Sequence, residues 1–148
     1  MTALLHWGLT EQVPQVIDLA IRRGIHFRKR PDIYQRVRVL YVSPPQWFGI
    51  VQVWVGDGEA VPMFSRERML YDAFLVPARY GGLGAAMEFL QTARDERNFQ
   101  IELLVSLCIQ GRSRRTLNRL ARAIEEVLGN WQIGGQLRSA AEGLQKTT

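Results

Sequence analysis

The hydrophobic period changes once along this chain, at Ser65, and that change limits what the chain can fold into. Ahead of it, apolar residues alternate or gather in short branched-aliphatic runs; after it they recur every three to four positions. Strand-like sequence followed by helix-like sequence is the pattern of an α+β protein. The 148 residues suit one domain. The expected architecture is a single domain, 1–148. Residues 1–64 give a small, mainly antiparallel sheet, and a helical half, 65–148, packs on it.

Within the first half, QVIDLAI (Gln15 to Ile21) is rich in branched aliphatics and follows a strand-starting VPQ. RRGIHFRKRPD then reads as a basic loop or hairpin, punctuated by Gly24 and Pro31. In IYQRVRVLYVS, Tyr34, Arg36, Arg38 and Leu40 face one way, and Ile33, Val37, Val39 and Tyr41 mostly the other. PPQWFG breaks the alternation, and no helix is expected to enter there. IVQVWVGDGEAVPMF reads as two strands about the turn Gly56–Gly58.

Beyond Ser65, a suitable N-cap with Glu67 in the first turn, Met69, Leu70, Ala73 and Phe74 form a helical stripe that ends at Pro77 and YGG. A second helix is expected over Leu83 to Arg97, burying Ala86, Phe89, Leu90 and Ala93. IELLVSLCI (Ile101 to Ile109) is apolar on nearly all sides and reads as a buried helix. The clearest element is GRSRRTLNRLARAIEEVLG. Gly111 precedes it, Ser113 caps it, Gly129 stops it, and Leu117, Leu120, Ala121, Ile124, Val127 and Leu128 share one face. A frayed helix is expected over Gln136 to Leu144.

Enzymatic chemistry finds little support in these residues. GDG and YGG lack the Lys-Ser/Thr and the strand-to-helix setting of phosphate-cradling loops. Two histidines, His6 and His26, and one cysteine, Cys108, do not make a recognisable zinc set. His6 beside Trp7 reads as a packed or capping histidine, and Cys108 as a small core residue. Pro31-Asp32 invites a metal-nuclease reading, but no Asp or Glu is followed two places later by Lys. No catalytic, cofactor or metal residues are therefore assigned. No apolar run approaches the ~20 residues of a membrane span. The N-terminus lacks the basic-then-apolar order of a signal peptide, and a lone cysteine fits a reducing compartment, so a cytoplasmic protein is expected.

What remains is basic charge. The chain carries a net +5, and 17 of its 19 basic residues are arginine. Arginine suits bidentate phosphate contacts, although it equally builds surface ion pairs. Arg22, Arg23, Arg28, Lys29 and Arg30 crowd one loop, and Arg112, Arg114, Arg115 and Arg119 lie along the late helix. These nine are the candidate nucleic-acid contacts. The competing reading is a solvated helix face, in which Arg122 pairs with Glu126 at i, i+4. No aromatic residue interleaves the late-helix arginines, so base stacking is not expected there.

Two stretches resemble one family. ALLHWGLTEQVPQVIDLA is similar to the hallmark aL-x-x-h-G-L-T-x-Q-x-P of AbiEi-type antitoxins, predicted transcriptional regulators of abortive-infection systems. VPMFSRERMLYDAFLVPARYGG resembles that family's strand, E-R-T, helical Asp, Pro and Gly-rich turn. Glu67, Arg68, Asp72 and Pro77 match it, while Met69 stands where the family usually has Thr. The likeness covers Ala3 to Gly129. It implies the family's C-terminal domain, with Leu4 to Trp7 as the tail of a helix leading out of a winged helix-turn-helix. Nothing before Gly8 could form a recognition helix, so base-edge readout is not expected. The family further implies a non-catalytic antitoxin role with a basic face that helps hold DNA. The functional link is to a nucleotidyltransferase-like toxin, without need of direct contact. The alternative is a protein-partner module, homo-oligomeric or acting with a separate DNA-binding chain.

Overall fold

The computed structural model describes residues 2–28 and 36–144. The chain mixes helix and strand with two small sheets, an α+β composition. It divides into two units, Met1–Arg66 and Glu67–Thr148.

The first unit opens with α1 (Thr2–His6), and the sequence HWGL shows how it stops. Gly8 turns left-handed at φ 68°. Its N–H donates to Leu5 O at 3.0 Å, and the Leu9 N–H donates to Leu4 O at 2.9 Å. This is a Schellman ending, where glycine bears the left-handed turn without a Cβ penalty. Leu4 and Leu9, the residues such an ending brings together, are both buried. The His6 and Trp7 rings meet edge to face at 4.7 Å.

β1 (Ile17–Arg22) and β2 (Val37–Val42) pair in parallel, from Ile17 beside Val37 to Arg22 beside Val42. The basic segment between them is thus a crossover and not the hairpin the sequence allows, because parallel neighbours need a connection of about a dozen residues or more. Residues 29–35 of that crossover, with the facings expected for Ile33 and Tyr34, lie outside the described residues. The register sets Asp18 opposite Arg38, whose Nε donates to Asp18 Oδ1 at 2.7 Å. The Asp18 N–H donates to Thr2 Oγ1 at 3.0 Å, which ties α1 to β1.

A single 3-10 turn, Pro44–Gln46, follows where the sequence predicts no helix. Proline's fixed φ suits a first helical turn. Then β3 (Ile50–Val55) and β4 (Glu59–Phe64) form an antiparallel pair. The one mainly antiparallel sheet expected from the sequence is two separate two-stranded sheets, one of them parallel. The prolines after β2 supply no ladder donors and turn the chain before β3 begins.

The Ser65 N–H donates to Gly49 O at 2.8 Å. That bond fixes the parity of the hairpin. Val51–Met63, Val53–Val61 and Val55–Glu59 are the hydrogen-bonded pairs, and the backbone groups of Ile50, Gln52 and Trp54 point away from β4. Pro62, opposite Gln52, therefore stands where a strand has no ladder bond to lose.

The second unit is helical: α2 (Arg66–Leu75), a 3-10 turn (Pro77–Tyr80), α3 (Leu83–Arg94), α4 (Ile101–Gln110), α5 (Arg114–Ala123), a π turn (Ile124–Leu128) and α6 (Trp131–Gly143). α2 is buried without a break from Glu67 to Phe74. In α3 the buried residues are Ala86, Phe89, Leu90 and Ala93. α4 is a helix but not a fully buried one. Leu104, Leu107 and Cys108 face inward, while Leu103 and Ile109 are exposed on the opposite face with Glu102, Ser106 and Gln110.

α5 packs on α6, and α4 touches both. α6 begins five residues earlier than its sequence suggests, because the Asn130 side chain caps it by accepting from the Ile133 N–H at 3.1 Å. The π turn adds a residue to the helical register, so that Glu125 faces inward and Val127 and Leu128 are only half-buried.

Candidate nucleic-acid interface

The nine candidate contacts fall in both units. In the first, Arg22 ends β1 and Arg23 extends its pairing, the Arg23 N–H donating to Val42 O at 2.7 Å. Both side chains are exposed, as is Arg28. Lys29 and Arg30 lie outside the described residues.

In the second unit the site is the turn into α5. Gly111 ends α4 in ordinary right-handed geometry, φ −68°. It is glycine for room: a Cβ there would come within 2.8 Å of Tyr71 Cε2, on a ring that is fully buried. The left-handed turn consequently falls on Arg112, φ 52°, at a strain of about 1–2 kcal/mol for a side chain with a Cβ. Ser113 then caps α5, its Oγ accepting from the Thr116 N–H at 3.3 Å and lying 2.7 Å from Thr116 Oγ1.

Arg112, Arg114 and Arg115 are all exposed. The first turn of α5 contains no acidic residue. Two cations thus sit where the helix dipole is positive and favours an anion.

Arg119 has a different role. Its Nη1 donates to Phe74 O at 3.0 Å and Leu75 O at 3.5 Å, covering the last carbonyls of α2. Arginine at a helix C-terminus satisfies carbonyls that have no partner within the helix. Arg122 pairs with Glu126 at 2.6 Å, the i, i+4 surface pair that the spacing allows. Of the late-helix arginines, then, the turn brings together Arg112, Arg114 and Arg115, and Arg119 is committed to the fold.

Of the motif residues of the second resembling stretch, Glu67, Arg68 and Asp72 are buried and Pro77 is half-buried. Arg68 Nη1 lies 2.8 Å from Asp72 Oδ1, with side chains 1% and 9% exposed, and the Arg68 guanidinium stands 4.9 Å from the Tyr71 ring centroid. Tyr80 Oη donates to Asp72 Oδ2 at 3.5 Å. Burial raises the Asp72 pKa above the usual carboxylate range, against the opposing charges of Arg68 and Arg79. Cys108 is buried and its thiol is pushed up to about 12, which leaves almost no thiolate at neutral pH. Among the described residues, no three His, Cys, Asp or Glu side chains gather as a metal-holding group. No helix among them is long and apolar enough to cross a membrane.

One buried contact is missed by the sequence reasoning. Both Nη groups of Arg138 donate to the Glu125 carboxylate, which is buried against Gly134 of α6. Those hydrogen bonds hold the Glu125 pKa below its usual value. The only sequence signal is a pair of glycines inside a helix, where glycine is otherwise unfavourable.

No protein-family model matches the chain, and no curated protein matches it.

Proposed function

We propose that this chain is a non-catalytic, antitoxin-like regulatory domain of the AbiEi type that meets duplex DNA through phosphates and not through base edges. One observation carries the DNA part: Arg114 and Arg115 are exposed in the first turn of α5, with Arg112 beside them and no carboxylate in that turn. A phosphate there would meet exposed arginine side chains at the positive end of a helix dipole. Exposed Arg22, Arg23 and Arg28 supply a second basic cluster. The antitoxin part rests on the resembling stretches. The burial of Glu67, Arg68 and Asp72 fits a motif that serves the fold. The functional link is to a nucleotidyltransferase-like toxin in the cytoplasm.

Phosphate contact without base readout gives weak binding, with a Kd of roughly 10⁻⁴–10⁻⁶ M, nearly the same for every duplex. Fluorescence anisotropy on two duplexes of unrelated sequence tests this. Equal, weak affinities are expected. Strong preference for one duplex, or no binding at low salt, would overturn the DNA part. A partner-binding module is the second reading, favoured by the exposure of Trp54 at 72% on β3.

A further inference from the structure

The geometry points to self-association through the outer edge of β3, with a second copy of this chain as the occupant. The two edges of the hairpin are not equivalent. On β4, Pro62 has no N–H to offer, and Phe64 O already accepts from Trp7 Nε1 at 2.8 Å. That edge is closed in two of the ways by which proteins blunt exposed strands. On β3, parity turns the N–H and C=O groups of Ile50, Gln52 and Trp54 outward, and among the described residues no other strand pairs with them. Gln52 and Trp54 are exposed. An open edge of this kind takes an extended strand by main-chain pairing.

Charge and symmetry favour a second copy as that strand. Ile50–Val55 carries no charge in a chain of net +5, and the only charged residues from Ile50 to Phe64 are Asp57 and Glu59. Two copies can therefore meet at β3 without setting like charges of the two strands against each other. The outward groups lie on even-numbered residues, so an antiparallel pair about a two-fold axis must match even with even. Placing Gln52 on the axis sets each Ile50 opposite Trp54 of the second copy, an aromatic with β-branched pair repeated by symmetry. Gln52 then faces itself, and an amide is both donor and acceptor.

The area limits the strength. Val51, Trp54, Val55 and Val61 are 38%, 72%, 40% and 40% exposed. Val51, Val55 and Val61 lie on one face of the hairpin and Trp54 on the other, so the apolar area beside the edge is on the order of a few hundred Å² at most, divided between two faces. A stable interface uses about 800 Å² from each partner. The dimer is accordingly weak and dissociates on dilution, and it is independent of any DNA contact.

Sedimentation velocity of the full chain over a wide concentration range tests it. The weight-average coefficient is expected to rise from monomer towards dimer. Gln52→Pro removes an outward donor without touching a ladder bond, and Trp54→Lys puts a charge on the same edge. Each is expected to abolish the rise while the far-UV circular dichroism stays the same. Under oxidation, Gln52→Cys should give a disulfide-linked dimer, since paired Cα atoms about 5.5 Å apart suit a disulfide and Cys108 is buried. A wild-type chain that stays monomeric at every concentration would overturn the inference. So would association that survives both folded variants, or a failure of Gln52→Cys to cross-link. Association unchanged by Arg114→Ala with Arg115→Ala would support the edge and separate it from the basic surface.

Discussion

Adjacent glycines in α6 should answer the same substitution with opposite signs. Gly134 and Gly135 both lie inside the helix, where alanine is better than glycine by about 1 kcal/mol. Around Gly135 nothing lies within 4 Å of an added Cβ, so Gly135→Ala should stabilise the protein by about that amount. At Gly134 the new Cβ would stand 2.6 Å from Glu125 Cγ and 2.7 Å from its Cδ. Glu125 is buried, 6% exposed, and gripped by Arg138, so it has little freedom to withdraw. Overpacking of this kind costs about 1–3 kcal/mol. Set against the helix-propensity gain, Gly134→Ala should be neutral to about 2 kcal/mol destabilising. It should lie about 1–3 kcal/mol below Gly135→Ala. Urea unfolding followed by circular dichroism measures both, with m held constant between variants. A Glu125→Ala background should restore the gain at Gly134, because the obstructing side chain is gone. Equal stabilisation by the two substitutions in the native background would refute the close approach of Glu125 to α6.

Other outcomes follow from the same contacts. Phe74→Ala should cost about 3–5 kcal/mol, since Phe74 is fully buried on α2, and an unchanged urea midpoint would refute that placement. Asp72→Ala should cost about 3–5 kcal/mol by leaving the Arg68 charge buried, whereas Arg122→Ala, on a surface pair, should leave the urea midpoint in place. Arg112→Gly should stabilise by about 0.5–1 kcal/mol, the left-handed strain relieved less the entropy of glycine, as a shift in the same midpoint. The Glu125 carboxylate has a folded pKa below its ordinary 4.5, so its stabilising contribution is complete above that pH and is lost as pH falls through the folded value. Glu125→Gln should therefore flatten the acid limb of stability against pH, with no change of slope above pH 6.

Much of the second unit is legible because its signals are local. The Ser113 cap, the apolar face through Leu117, Leu120, Ala121 and Ile124, and the four inward residues of α3 all follow from spacing within one turn or two. The first unit is less so. Whether β1 meets β2 in parallel depends on the path of the crossover, and alternation is the same in either case. For α4, composition misleads: IELLVSLCI is apolar enough to be buried all round, yet only one side meets the core and Leu103 and Ile109 stay outside. Arginines are the hardest to read. Arg115 and Arg119 lie one turn apart on α5, but Arg119 reaches the α2 carbonyls while Arg115 is exposed. That difference is tertiary, and no spacing encodes it. The left-handed Arg112 is equally hidden, since the glycine before it would suit the turn and is used instead to admit Tyr71.

The salt dependence of duplex binding tests the central claim most directly. If Arg114 and Arg115 each neutralise a phosphate, the plot of log affinity against log salt should lose slope by about 0.9 per arginine removed. For Arg114→Ala with Arg115→Ala the expected change is therefore nearly two units, uniform across duplex sequences. Circular dichroism should stay unchanged, because Ser113 still caps α5. A double variant with the wild-type slope and affinity would contradict the claim that the amino end of α5 meets DNA.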